Sequence, residues 1–174
     1  MATKTAISPE EYLAMRFEWE PEYVHGELIE RPMPDRVHGE IETTLAALLR
    51  LLRKQHPVTP VTNMRCRLSE GVYRLPDIAL VANHPYERTP SIPPIMVTEI
   101  VSRDDLYVDV VEKAAEYATW GVPHIWLIDP WSKRLQIWTA NSFATVEKLE
   151  LKEYGWSCSI DDLIEGIPAE ALKR

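Results

Sequence analysis

Two short apolar runs of the chain each carry one carboxylate near their centre. The run RLPDIALVA contains Asp77, and the run PPIMVTEIVS contains Glu99. Both runs are rich in β-branched residues and are bounded by proline or charged residues, which predicts two strands near the centre of a sheet. An ionised carboxylate in such a place costs several kcal/mol unless it is paired or holds a metal ion.

A lysine follows these two carboxylates. Lys113 lies in the segment DLYVDVVEKAAEYATWG, which is predicted to form a helix that ends at Gly121. Two acidic residues on interior strands, with a lysine close behind them, indicate a metal site with a catalytic cation. The alternative is that salt bridges and backbone N–H groups satisfy both carboxylates. Lys113 would then form an i,i+4 ion pair with Asp109 on an exposed helix face.

The composition is that of an ordinary globular protein. The 174 residues are 45% hydrophobic and 26% charged, which predicts one domain over residues 1–174. The net charge of −8 weakens the case for a dedicated nucleic-acid binder, which usually has a basic face. The two cysteines, the absence of a secretory apolar segment and the absence of a membrane-spanning run predict a cytoplasmic protein with free thiols.

The elements that must position these residues follow from periodicity. A helix is predicted from Asp35 to about Lys54, and its apolar arc includes His38. Val61 to Leu68 and Val72 to Val81 are predicted to form an antiparallel hairpin. With a third strand at His124 to Asp129, the order helix, hairpin, strand, helix, strand predicts an α/β sandwich with a mixed sheet. Its last two strands would be parallel and joined by the helix that carries Lys113.

Several motifs of the chain match one known protein family. They are PD at Pro76–Asp77, E-I-V-S at Glu99–Ser102, K-x-x-x-Y-x-x-x-G-V-P-x-x-W-L-I-D at Lys113–Asp129, G-E-L at Gly26–Leu28, and His38. On these motifs the chain resembles the Uma-two family, which is assigned to the restriction-endonuclease-like PD-(D/E)xK superfamily. The resemblance runs from about Ile7 to Ile167.

The resemblance implies a restriction-endonuclease-like fold, a three-layer sandwich in which helices flank a mixed β-sheet. It also implies Mg²⁺ or Mn²⁺ bound by Asp77 and Glu99, with the backbone carbonyl of Ile100 as a further ligand. The lysine of the superfamily motif would lie two residues after Glu99, where this chain has Val101. In this family the lysine is displaced to the following helix, which makes Lys113 the candidate.

Three further residues are weaker candidates for the site. Glu27 would be a further ligand of the metal or of a water, or else an ordinary carboxylate at the end of a hairpin. His38 would contact a phosphate, act as an acid or base, or orient Glu27; otherwise it is a hydrogen-bonded core residue. Tyr117 is expected to pack against the sheet, with a hydrogen bond to the site as the alternative.

Together with this metal site, the resemblance implies a metal-dependent endonuclease that hydrolyses phosphodiester bonds, with DNA as substrate. A homodimer is expected, because nucleases of this kind often pair to cut two strands and six tryptophans offer apolar surface. Two alternatives stay open. One is a non-catalytic module that binds nucleic acid or protein on the same fold. The other is a hydrolase of small phosphoesters, which would suit the acidic charge better.

Overall fold

The computed structural model describes residues 6–103 and 105–173, and this part of the chain forms four α-helices and twelve strands. The helices are α1 (Pro9–Ala14), α2 (Arg36–Arg50), α3 (Tyr107–Trp120) and α4 (Ile160–Ile164). The strands are β1 (Glu22–Val24), β2 (Glu27–Ile29), β3 (Val58–Thr62), β4 (Cys66–Ser69), β5 (Val72–Arg74), β6 (Ile78–Ala82), β7 (Met96–Ile100), β8 (His124–Asp129), β9 (Arg134–Thr139), β10 (Ser142–Val146), β11 (Lys148–Leu151) and β12 (Trp156–Ser159). Short 3-10 helices span Leu51–Lys54 and Lys152–Tyr154.

The main sheet is mixed. Its six strands lie in the order β10-β9-β8-β7-β6-β3. Strands β7 and β8 are parallel, and the remaining neighbours in this sheet are antiparallel. The helix α3 joins β7 to β8, so the predicted parallel connection through the helix of Lys113 is confirmed.

Helices cover both faces of this sheet. Because side chains alternate between the faces of a strand, Leu80 of β6 packs with Ile41 of α2, whereas Ala79 packs with Tyr117 of α3. The helix α4 and the β11–β12 hairpin complete the layer that contains α2. The predicted three-layer restriction-endonuclease-like sandwich is therefore confirmed.

Within residues 6–103 and 105–173, every helix is too short or too polar to cross a membrane.

A second, smaller sheet corrects one prediction. The segments expected to form one long hairpin each divide into two strands. The inner strands β4 and β5 join a four-stranded sheet of order β2-β1-β5-β4, and the outer strands β3 and β6 pair in the main sheet. Pro76 lies at the break between β5 and β6, and it has no N–H to donate to a ladder. Asp77 therefore comes directly before β6, and not in the middle of a strand.

Candidate active site

The structure brings Asp77 and Glu99 together. Strands β6 and β7 are antiparallel, and their register pairs Ile78 with Thr98. Continued by one residue, this register sets Asp77 opposite Glu99, with both side chains on the same face of the sheet. Asp77 is 4% exposed and Glu99 is 8% exposed, so two carboxylates are buried side by side.

Three donors hold the carboxylate of Asp77. Arg31 Nη2 donates to Oδ1 at 2.7 Å, and the backbone N–H of Ile100 donates to Oδ2 at 2.8 Å. His38 Nε2 lies 3.2 Å from Oδ2, and the cap of α2 places it there because Asp35 Oδ1 accepts from the backbone N–H of His38. Burial by itself raises the pKa of Asp77, but His38 and Arg31 outweigh it and keep the pKa below its ordinary value.

Two side chains of α3 hold the carboxylate of Glu99. Lys113 Nζ donates to Oε2 at 3.0 Å, and Tyr117 Oη donates to Oε1 at 2.8 Å. The two residues are four apart, so they project from the same side of the helix. Burial raises the pKa of Glu99 to about 7, with Lys113 opposing this and the charge of Asp77 adding to it. Tyr117 is fully buried, so it both packs against the sheet and bonds to the site.

A third buried carboxylate completes the environment of Lys113. Glu22 of β1 is 2% exposed, and its Oε1 lies 3.1 Å from Lys113 Nζ. Arg74 Nη1 donates to Glu22 Oε2 at 2.8 Å, and the N–H of Leu75 donates to Oε1 at 3.1 Å. Burial raises the pKa of Glu22, but Lys113 and Arg74 hold it below its ordinary value. Lys113 thus lies between two buried carboxylates, rather than in the surface pair with Asp109.

Glu22 and Arg31 are the two residues of this site that the sequence patterns did not reveal. The sequence around Glu22 resembles the sequence around Asp77. Glu22 is a carboxylate that follows a proline and precedes the apolar pair Tyr23 and Val24. Arg31 carries no comparable signal. It follows β2 in an irregular segment, and only the folded chain shows that it reaches Asp77.

Glu27 lies apart from this cluster. It is exposed on β2, opposite Val24 of β1, and it takes part in none of the hydrogen bonds and ion pairs described above. The expectation that His38 orients Glu27 is wrong, because His38 Nε2 is directed at Asp77. The other ring nitrogen of His38, Nδ1, is buried and has no hydrogen-bond partner among the described residues.

The donor set of this site fits a hard divalent cation. Asp77 and Glu99 supply carboxylate oxygens, the ligands that Mg²⁺ and Mn²⁺ prefer. Within the described residues no three His, Cys, Asp or Glu side chains converge on one point, but Mg²⁺ is commonly bound by one or two carboxylates and several waters. The pKa of Glu99 is raised chiefly by burial, and further by the charges of Asp77 and Glu22. A divalent ion beside this carboxylate would favour its charged form.

The contribution of Ile100 differs in kind from the one expected. Its backbone N–H reaches Asp77, while the role of its carbonyl as a metal ligand stays a prediction. Two surface cavities lie away from the carboxylates. One, of about 510 Å³, is lined by residues of α2 and α4, and the other, of about 390 Å³, is lined by residues that include Arg67 and Arg88.

Comparisons with known proteins show the fold and the family of the chain. A solved structure from Anabaena variabilis, described as a "putative nuclease belonging to DUF820", superimposes with a TM-score of 0.80. The two proteins are 22% identical, and the match covers 90% of this chain and 97% of that chain, which shows a shared fold. Comparison with curated proteins gives no match. The family model of Uma2, described as "Putative restriction endonuclease", matches residues 9–170, and the chain therefore belongs to the Uma2 family.

Proposed function

We propose that the protein is a metal-dependent endonuclease that hydrolyses phosphodiester bonds in DNA. The observation that carries this proposal is the pair of buried carboxylates, Asp77 directly before β6 and Glu99 on the neighbouring β7, with Lys113 bonded to Glu99. The descriptions of the Uma2 family and of the Anabaena variabilis protein support a nuclease.

We also propose that the protein lies in the cytoplasm, since Cys66 and Cys158 are both free thiols.

Asp77 and Glu99 would hold Mg²⁺ or Mn²⁺ between them. When bound, such an ion stabilises charge on phosphate oxygens and lowers the pKa of a coordinated water. Tyr117 fixes one oxygen of Glu99 through its hydroxyl, and the N–H of Ile100 fixes one oxygen of Asp77. Both carboxylates are therefore oriented before any ligand arrives, which reduces the reorganisation needed during the reaction.

Lys113 supplies the second positive charge. Its ammonium is bonded to Glu99, so it would lie close to a phosphate that the metal binds. Glu22 accepts from the same ammonium, and Arg74 in turn holds Glu22 and pairs with Glu116 of α3. Lys113 is thus fixed from two sides. A positioned charge of this kind acts mainly on the transition state, where negative charge builds up on the phosphoryl oxygens.

Metal removal gives the direct test. In low salt, the protein with Mg²⁺ or Mn²⁺ is expected to nick supercoiled plasmid. Nicking should fall to the background rate with excess EDTA and return when Mn²⁺ is added back, because the carboxylates alone supply no cation for the phosphate oxygens. Nicking is measured by gel electrophoresis, alongside a calorimetric Mn²⁺ titration. A wild-type protein that neither binds Mn²⁺ nor nicks DNA contradicts the proposal.

One observation favours a non-catalytic module as the second candidate. In the described structure each oxygen of Asp77 and Glu99 already has a hydrogen-bond donor, as in a purely structural ion-pair network. The Mn²⁺ titration separates the two candidates, since a structural network has no need of the ion. A hydrolase of small phosphoesters would bind Mn²⁺ too. Unlike a DNA nuclease, such a hydrolase would not show the steep loss of DNA affinity with rising salt that contacts to the phosphate backbone produce.

We further propose a homodimer. The tryptophans give this less support than expected, because Trp19 is the only one of them among the large exposed apolar residues that the structure describes, whereas Trp126 is buried and stacked on Trp156 at 5.7 Å between ring centroids. The support comes from three consecutive exposed apolar residues where the helix of Lys113 begins: Leu106, Tyr107 and Val108. Light scattering at micromolar concentration is expected to give twice the mass of one chain, and Val108→Lys should shift it towards one chain. Wild-type protein that scatters as a monomer throughout this range contradicts the homodimer.

A further inference from the structure

Arg31 differs from the other partners of Asp77 because its charge is permanent, whereas His38 is charged only when protonated, and because its side chain is more exposed. It follows β2 in a segment that contains Pro32 and Pro34, and its guanidinium forms a fork. Nη2 donates to Asp77 Oδ1 at 2.7 Å, and Nη1 donates to Asn63 Oδ1 at 2.8 Å. The side chain of Arg31 is 21% exposed, whereas that of His38 is 7% exposed. Arg31 is therefore a charged partner of Asp77 with a route to solvent.

Asn63 fixes the position of this guanidinium. Its own amide donates to Glu42 Oε1 of α2 at 2.7 Å, and its backbone N–H donates to the carbonyl of Asp77 at 3.0 Å. The side-chain oxygen of Asn63 is thereby directed at Arg31. Asn63 thus links the segment after β2 to α2 and to the start of β6, and it holds the guanidinium of Arg31 against the carboxylate.

A divalent ion on Asp77 would meet this guanidinium at close range. Two positive groups that share one carboxylate oxygen lie only a few ångströms apart, and their repulsion is strong where water is largely excluded. The N–H of Ile100 presents no such charge to Oδ2. Of the three partners of Asp77, Arg31 is the permanently charged one, and its exposure allows it to leave the carboxylate for solvent.

We propose that Arg31 is a resident counter-cation that competes with the divalent metal ion for Asp77. Arg31, held by Asn63, closes the site at Oδ1, and metal binding displaces the guanidinium from this oxygen. The metal affinity is then set by this competition as well as by the ligands. This inference rests on the proposed metal site. It adds Arg31 as a residue that controls how tightly the site binds the metal ion.

The test is a calorimetric Mn²⁺ titration in the absence of DNA. Arg31→Gln is expected to bind Mn²⁺ on the order of tenfold more tightly than wild type, because the competing charge is gone. Asn63→Ala keeps the charge but releases the guanidinium, so it should tighten binding by a smaller factor. Arg36→Gln is the matched control. It removes the same charge from an exposed side chain that pairs with Glu40, and it should leave the affinity unchanged.

Thermal unfolding gives a second readout that does not depend on activity. Arg31→Gln removes an ion pair from a buried carboxylate, so the metal-free variant is expected to melt below wild type. Saturating Mn²⁺ should raise its melting temperature by more than it raises that of wild type, because tighter binding to the native state stabilises it more.

The outcomes separate this inference from the proposed function. If wild type binds Mn²⁺ and Arg31→Gln binds it no more tightly, the proposed competition between Arg31 and the metal ion is wrong, whereas the proposed metal site is supported. Weaker binding by Arg31→Gln also overturns it, since Arg31 would then orient Asp77 for the ion. If neither protein binds Mn²⁺, the metal site itself is wrong, and this inference falls with it.

Discussion

Lys113→Met is expected to slow phosphodiester hydrolysis by roughly 10²- to 10³-fold, which is the usual cost of removing one positioned group that stabilises developing charge. Mn²⁺ binding should survive or become tighter, because Lys113 is not a ligand and its positive charge opposes the ion. The two effects therefore have opposite signs in one variant. Plasmid nicking and calorimetric Mn²⁺ titration on the same preparation measure both.

The stability of this variant has to be followed as well. Lys113 lies between Glu22 and Glu99, so its loss leaves two buried carboxylates without their shared cation. Breaking a buried ion pair in this way costs about 3–5 kcal/mol of unfolding free energy. The double variant Lys113→Met/Glu22→Gln also removes the charge of Glu22, so only Glu99 is left as a charged carboxylate without Lys113. It should recover part of the lost stability without recovering hydrolysis.

The matched control is Lys152→Met, which removes the same charge from an exposed side chain. It should nick DNA as wild type does and should melt at nearly the same temperature. A folded Lys113→Met protein that nicks as fast as this control would remove Lys113 from the reaction and leave it a structural role alone.

Asp77→Asn is expected to weaken Mn²⁺ binding by at least about tenfold and to reduce nicking by on the order of 10³-fold. The change keeps the shape of the side chain, and its amide oxygen can still accept from the N–H of Ile100. It removes the charge that would hold the metal and that now pairs with Arg31. Thermal unfolding and Mn²⁺ titration on one preparation separate the loss of fold from the loss of binding.

Asp109→Asn is the control for this variant. It removes the same charge from an exposed position at the start of α3, and its metal response should match wild type. If Asp77→Asn shows the same metal response as this control, Asp77 is a structural carboxylate held by Arg31 and His38. The metal site would then have to be abandoned.

Asp77 and Glu99 could be found from the sequence because a carboxylate within an apolar run is costly to bury unless it is paired or holds a metal. Lys113 could be found because it lies on the predicted helix that follows them. The order of elements around them could be found too, since a strand, a helix and a strand in succession favour a parallel pair. The sequence pattern does not single out Glu22, although this carboxylate too follows a proline and precedes apolar residues. Its strand has only three residues, too few to show a clear alternation.

Other features depend on tertiary structure. The break at Pro76 was missed because a run of apolar residues looks continuous, and the sequence alone does not say that its two halves join different sheets. Arg31 follows β2, the edge strand of the smaller sheet, and it reaches Asp77 across a separation of 46 residues. Glu27 was expected at the site from its motif, but its place on β2 leaves it in solvent. Contacts of this kind depend on topology more than on local pattern.

The links that hold the site join residues far apart along the chain. Arg31 and Asp77 are 46 residues apart, His38 and Asp77 are 39 apart, and Glu22 and Arg74 are 52 apart. Each contact closes a long loop, whose entropy must be lost before the contact contributes any stability. Helices such as α2 and α3 can form earlier from local contacts. We therefore expect the contacts around Asp77 and Glu22 to acquire their native geometry later in folding than these helices, and a chain that has only begun to fold would carry its charges without the arrangement that makes them useful.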